Sequence, residues 1–101
     1  MTKEESCELF IAMCKDPRTR FNSLGVGMAS EDHMYRHATI RTDVGDDYRM
    51  TLTNYPGGYS LTPGKFDLTE AQYAPLRKAW DWGIGKREEA RVDEVRKMLN
   101  I

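Results

Sequence analysis

The chain lacks a long apolar run and an apolar N-terminal segment. Crossing a bilayer as a helix takes about 20 consecutive apolar residues, and no run in the sequence approaches that length. The first five residues, Met-Thr-Lys-Glu-Glu, are mostly polar, whereas a secretion signal needs an apolar core. We therefore expect a cytoplasmic protein with no membrane partner.

The charge balance also lacks a strong bias of either sign. The chain carries 15 Lys and Arg residues against 16 Asp and Glu residues, for a formal net charge of −1 at pH 7. This balance excludes a uniformly basic nucleic-acid coat and a strongly acidic mimic of DNA. Charge can guide recognition only through local patches.

Cysteine is scarce, since only Cys7 and Cys14 are present. A spacing of seven places both on one face of a helix, about 10 Å apart, which is too far for a disulfide between them. We expect two small buried hydrophobes in a reducing compartment, rather than an intermolecular disulfide or a redox sensor.

The length of 101 residues suits one domain, and a hydrophobic fraction of 40 % suffices for one layer of sheet and helices. A large internal ligand cavity is not expected at this size. We therefore predict one α+β domain over residues 1–101, with no repeat or linker.

An N-terminal helix is predicted up to Lys15. Thr2 and Glu5 have the spacing of a capping box, and apolar residues recur at helical spacing after them. Asp16 and Pro17 end this pattern.

Residues 38–52 alternate in the manner of a β-hairpin. The apolar positions of both strands carry even numbers. Two even-numbered residues can face each other across the hairpin only if the loop between the strands has an odd number of residues. A loop Asp43-Val44-Gly45 with Gly45 left-handed meets this condition. The predicted pairs are Ile40 with Tyr48, Ala38 with Met50 and Arg41 with Asp47.

Two further strands complete a three- to four-stranded antiparallel sheet. Val26 and Met28 alternate with glycines in a short strand joined to the hairpin by residues 30–33, and residues 59–62 form the fourth.

Two C-terminal helices are expected to pack on one sheet face. The first begins at a second capping box, Thr69 to Gln72, and is kinked or restarted near Pro75. Gly83 and Gly85 interrupt the pattern before a last helix from Lys86 to Asn100.

Catalytic and metal-binding patterns are not recognisable in the sequence. His33 and His37 lie about 13 Å apart on an extended strand, too far to share a metal ion. No nucleophile elbow is present. His37, predicted opposite Thr51 with Arg49 nearby, is the best single candidate for proton transfer. We expect no enzyme, no metal and no cofactor.

The polar sheet face offers a nucleic-acid-binding hypothesis, because hydroxyls, aromatic rings and arginines can contact phosphates and bases. Its residues, with two arginines of the preceding loop, are Arg18, Arg20, Tyr35, Arg36, His37, Arg41 and Arg49.

The order helix, three strands, helix is similar to that of the double-stranded-RNA-binding domain. The turn Ser30-Glu31-Asp32-His33 resembles the Gly-Pro-Asp-His turn of that family. The resemblance implies RNA as a ligand. The family's lysine cluster at the start of its last helix is missing here, where the helix begins Glu70-Ala71-Gln72.

The preferred hypothesis is protein binding. Tyr55 and Tyr59 flank a compact Pro-Gly-Gly turn, with Phe66 shortly after it. Trp80 and Trp82 lie about 200° apart on a helix, so both cannot face one core. Trp82 near Lys86 then forms an exposed anchor, unless the break at Gly83 returns it to the core.

We therefore expect a small non-enzymatic domain that binds a larger protein or complex through residues 55–66 and the Trp82 region, with nucleic-acid binding as the alternative. By analogy of size and organisation alone, this predicts a phage or mobile-element inhibitor of a larger host machine such as a CRISPR or other defence nuclease complex.

Overall fold

The computed structural model describes residues 1–23, 34–41 and 45–99. Within these ranges two helices flank five strands, and the strands pair as neighbours in the order β1-β2-β3-β4-β5, all antiparallel. The elements are α1 (Lys3–Lys15), β1 (Arg20–Ser23), β2 (Met34–Arg41), β3 (Asp47–Tyr55), β4 (Gly58–Thr62), β5 (Phe66–Leu68) and α2 (Glu70–Leu99). The α+β class is confirmed.

Both predicted capping boxes are present. The Thr2 hydroxyl accepts from the backbone N–H of Glu5 at 3.1 Å, and the Glu5 carboxylate accepts from the N–H of Thr2 at 3.1 Å. Thr69 and Gln72 repeat this exchange at the start of α2, with distances of 3.2 and 2.9 Å. Each box satisfies N–H groups that a helix cannot pair internally.

The hairpin register follows the sequence prediction. Arg41 pairs with Asp47, Ile40 with Tyr48 and Ala38 with Met50. Gly45 has a φ of 93°, in the region that favours glycine. The even-numbered positions therefore face the helices, and the odd-numbered positions of β2 and β3 form the opposite side, which we call the open face.

In the part of the chain that the structure describes, the sheet has five strands rather than three or four. β4 confirms the strand predicted over residues 59–62, whereas β1 lies in a segment expected to be a loop and β5 was not predicted. Both are short, with four and three residues, so neither offers a long alternating pattern. The strand predicted at Val26 and Met28, and the turn at residues 30–33, lie outside the described residues.

The prediction of two C-terminal helices is wrong, because α2 continues through Pro75, Gly83 and Gly85. Pro75 removes the hydrogen bond to the carbonyl of Ala71, but both residues are exposed, so water can satisfy that carbonyl. Gly83 lies where α2 passes very close to α1, so a side chain at this position would clash with Cys14 and Phe21.

One apolar core lies between the helices and the sheet. Phe10 of α1 and Leu76 of α2 meet Met50, Leu52 and Leu61 of the sheet, and these five side chains are at most 1 % exposed. Within the described residues, no helix has the length and apolarity of a membrane span.

Candidate protein-binding surface

Trp80 and Trp82 point to opposite sides of α2. The Trp80 indole N–H donates to the carbonyl of His37 at 3.2 Å, and its ring meets Phe21 edge to face at a centroid distance of 6.0 Å. Trp80 is 6 % exposed. Because Trp80 fixes the rotation of α2, Trp82 faces outward and is 48 % exposed.

Lys86 lies one turn beyond Trp82 and covers part of its ring. The ammonium nitrogen is 5.7 Å from the ring centroid, within the range of a cation–π interaction. The same nitrogen is 3.4 Å from a carboxylate oxygen of Glu89. The indole of Trp82 is therefore held beside a cation and keeps much of its surface open to a partner.

Two grooves adjoin Trp82, and both have mainly apolar walls. The first, about 300 Å³, lies where α2 crosses the end of α1, and the second, about 350 Å³, lies further back between the same helices. The apolar residues of the first are Cys14, Pro17, Phe21, Trp82, Gly83 and Ala90; those of the second are Ile11, Pro75, Ala79 and Trp82. An aromatic side chain between two concave apolar surfaces is a favourable site for protein contact.

The charged residues around these grooves are mostly basic. They are Lys15, Lys78, Lys86, Arg87 and Asp16. The Asp16 carboxylate receives two bonds from the Arg18 guanidinium, at 3.0 and 3.1 Å. Those bonds, together with the Arg18 backbone N–H, lower the pKa of Asp16 below its ordinary value. The surface around Trp82 therefore has a positive rim that suits an acidic partner.

Tyr59 borders a third groove, of about 390 Å³, on the same helix. Its ring stacks on Tyr73 at a centroid distance of 3.9 Å and an interplanar angle of 14°. Lys78 lines both this groove and the second one beside Trp82. The structure thus brings Tyr59, Trp82 and Lys86 to adjoining grooves along α2.

Tyr55 and Phe66 lie elsewhere. The turn between β3 and β4 has two residues, because Tyr55 pairs with Gly58, so Tyr59 pairs with Asn54. Tyr55 and Tyr59 therefore lie on opposite faces of the sheet, and the Tyr55 ring covers Gly58. Phe66 pairs with Leu61 on β5 and its ring packs against Gly64.

The candidate nucleic-acid residues are divided between several places. Arg20 and Arg49 are exposed and flank Thr39 on adjacent strands, and the Arg49 Nε donates to the Thr39 hydroxyl at 3.2 Å. Arg18 bonds Asp16, Tyr35 is partly buried, and the backbone of Arg41 pairs with that of Asp47.

Arg36 lies under α2 rather than on the open face. It is 4 % exposed, its guanidinium carbon is 5.6 Å from the Trp80 centroid, and its Nη1 donates to the Tyr73 hydroxyl at 3.2 Å. This arginine supports the core and is not accessible to a nucleic acid in this conformation.

His37 lies on the open-face side and is 8 % exposed. Its Nδ1 is 2.9 Å from the Thr51 hydroxyl, and its Nε2 is buried without a hydrogen-bond partner. Burial, and secondarily the charge of Arg49, lower the pKa of His37. Within the described ranges, no group of three or more His, Cys, Asp or Glu residues could hold a metal ion.

Sequence reasoning missed the contribution of α1 to this surface. Lys15 and Ile11 come next to Trp82 only because Gly83 lets the two helices approach closely. No local sequence pattern links positions so far apart in the chain. Comparisons with protein-family models, curated proteins and solved structures found no match.

Proposed function

We propose that this chain is a non-enzymatic protein-binding domain. Its binding site is the surface around Trp82 between α1 and α2, and its partner presents an acidic segment that carries an apolar side chain. The observation that supports this most directly is a tryptophan that is 48 % exposed beside two apolar-walled grooves with a basic rim.

The exposed indole supplies the anchor of this proposal. Tryptophan is the most enriched residue type at positions that dominate binding energy, because a partner can cover a large apolar area while the N–H keeps a polar contact. The grooves on either side give a partner's apolar side chains a place to insert. The lysines then favour acidic over basic sequences and raise the rate of association.

The finer proposal is that binding blocks a larger machine, as a stoichiometric inhibitor encoded by a phage or mobile element would. A standard interface needs only about 800 Å² from each partner, and α2 with the end of α1 can supply a surface of that order. Inhibition by occlusion needs no catalytic group. A host defence nuclease complex, such as a CRISPR effector, is the kind of target to test first.

The test is a random peptide display selection on the immobilised full chain, repeated on the Trp82→Ala variant. We expect the wild-type protein to enrich peptides with several acidic residues around one or two apolar residues, and the variant to lose them. Enrichment of the same peptides by the variant, or of basic peptides by the wild type, would overturn the proposed site.

Two variants isolate the contribution of the basic rim to binding. Lys78→Glu reverses one charge of the rim and should weaken binding more strongly at low salt than at high salt. Lys65→Glu makes the same charge change on an exposed turn that lines neither groove beside Trp82, and it should leave binding unchanged.

Nucleic-acid binding remains the second candidate because Arg20 and Arg49 are exposed on either side of Thr39. Binding of this kind should fall steeply with salt and should weaken in Arg49→Ala while persisting in Trp82→Ala. Fluorescence anisotropy with labelled single- and double-stranded oligonucleotides makes this comparison directly.

A further inference from the structure

The C-terminal part of α2 carries an apolar stripe that no described element covers. Residues 86–99 are exposed throughout. Val92, Val95 and Leu99 are 49, 47 and 78 % exposed. Their spacing of three and four places them on one side of the helix. Apolar residues with this spacing match the a and d positions of the heptad pattern on which coiled coils are built.

We propose that two copies of this chain associate through this stripe as an antiparallel coiled coil. In heptad terms Val92 and Leu99 occupy a positions and Val95 occupies a d position. Antiparallel pairing sets a against d, so Val92 of each copy meets Val95 of the other, twice by symmetry. The same register sets Leu99 of one copy opposite Glu88 of the other.

A shallow, open depression in the surface of α2 borders the stripe at Val92. It is lined by Gly85, Glu88, Glu89, Val92, Asp93 and Arg96. The first four have the spacing i, i+3, i+4, i+7, which is the hole that receives a knob from a facing helix. Space around Gly85 is open, so the hole can admit Leu99 of the second copy.

Charge selects the antiparallel arrangement over the parallel one. Glu89 and Arg96 occupy successive e positions, and antiparallel pairing brings Glu89 of one copy beside Arg96 of the other, twice. Parallel pairing would instead place Arg91 at a g position beside Arg96 at the facing e position, which is repulsive. The e and g charges set orientation in coiled coils.

The shape of the molecule is compatible with this pairing. Only the C-terminal parts of the two α2 helices overlap, so the two sheets lie at opposite ends of the pair. At a rise of 1.5 Å per residue, the two Gly83 positions are roughly 30 Å apart along the axis of the paired helices. The overlap of about two heptads is smaller than a standard interface, so we expect a weak, concentration-dependent dimer.

The proposed dimer uses a different side of α2 from Lys86 and the grooves beside Trp82. It can therefore be confirmed or overturned independently of the proposed function.

The first test is sedimentation equilibrium of the full chain over a concentration series reaching roughly 1 mM, where a millimolar or tighter dimer is populated. Val92→Glu and Val95→Glu should weaken association by at least roughly ten-fold. Lys97→Gln, which changes the net charge equally at an exposed outer position, should not.

A charge-swap series then tests the orientation. Arg96→Glu and Glu89→Arg should each weaken the dimer several-fold, and the double variant should restore it, because each facing pair again has opposite signs. Tighter association of Arg96→Glu would indicate parallel helices and overturn the register. A chain that is monomeric across the series, or a dimer indifferent to Val92→Glu, would overturn the proposal. Circular dichroism of every variant confirms that these exposed substitutions leave the domain folded.

Discussion

Gly83 of α2 is in close contact with the backbone of Cys14 in α1. A Cβ at position 83 would lie 2.7 Å from the Cys14 carbonyl oxygen and closer still to the ring of Phe21. Both distances are shorter than real Cβ contacts, so only glycine permits this crossing. The contact also creates the first groove beside Trp82, because it sets the distance between the two helices.

We expect alanine to act in opposite directions at the two glycines of α2. Gly83→Ala forces α1 or Phe21 to move and should lower the free energy of unfolding by about 1–3 kcal/mol. Gly85→Ala has open space around its Cβ and should raise that free energy by up to about 1 kcal/mol, as in an exposed helix. Urea unfolding at low protein concentration measures both. A stable Gly83→Ala variant would contradict the close contact.

The sequence predicted those parts of the fold that depend on local patterns. The caps, the end of α1 at Lys15 and the register of the β2–β3 hairpin follow from neighbouring residues and from the parity of apolar positions. The continuity of α2 could not be predicted, because glycine breaks a helix on average but is required at position 83 by a contact distant in the chain.

The site was predictable to the same extent. The angle between positions 80 and 82 required one tryptophan to leave the core, and the structure shows that it is Trp82. The separation of Tyr55 from Tyr59 depends on a two-residue turn, in which Gly57 has a φ of 96°. A turn with one more or one fewer residue would change which side Tyr59 faces, so the identity of the residues alone did not decide it.

The two thiols should differ in reactivity. Burial raises the pKa of Cys14 to about 12. Burial, and secondarily the charge of Glu4, also raises the pKa of the partly exposed Cys7. Because the thiolate is the reactive form, iodoacetamide at neutral pH should modify Cys7 slowly and Cys14 only after unfolding. Mass spectrometry of the Cys7→Ser variant over time follows Cys14 alone, and its rapid alkylation in the native protein would contradict the buried position.

Stability should fall as the pH drops below the ordinary pKa of His37. Burial, and secondarily the charge of Arg49, lowers the pKa of His37 below 6.5 in the folded protein. As the pH falls, His37 therefore takes up a proton in the unfolded chain before it does so in the folded protein. The contribution of His37 to stability is therefore fully present above about pH 6.5. It is lost progressively as the pH falls to the pKa that His37 has in the folded protein.

Urea unfolding between about pH 5 and 7.5 measures this loss across the window set by the histidine pKa. The His37→Gln variant should have a shallower dependence on pH, and it leaves His33 in place as an internal control. Equal slopes in the two proteins would show that His37 does not titrate differently on folding. Imidazole chemical shifts in NMR spectra report its pKa independently.

The two tryptophans should respond very differently to phenylalanine. Trp80→Phe removes the bond to the His37 carbonyl and the larger ring that contacts Arg36 and Phe21, so it should lower the free energy of unfolding by about 2–3 kcal/mol. Trp82→Phe changes an exposed position and should stay within about 0.5 kcal/mol. Each variant retains one indole, so acrylamide should quench the remaining Trp82 strongly and the remaining Trp80 weakly. Weak quenching of Trp82 in the Trp80→Phe variant would mean that Trp82 is covered in solution, and the surface proposed for protein binding would then be closed.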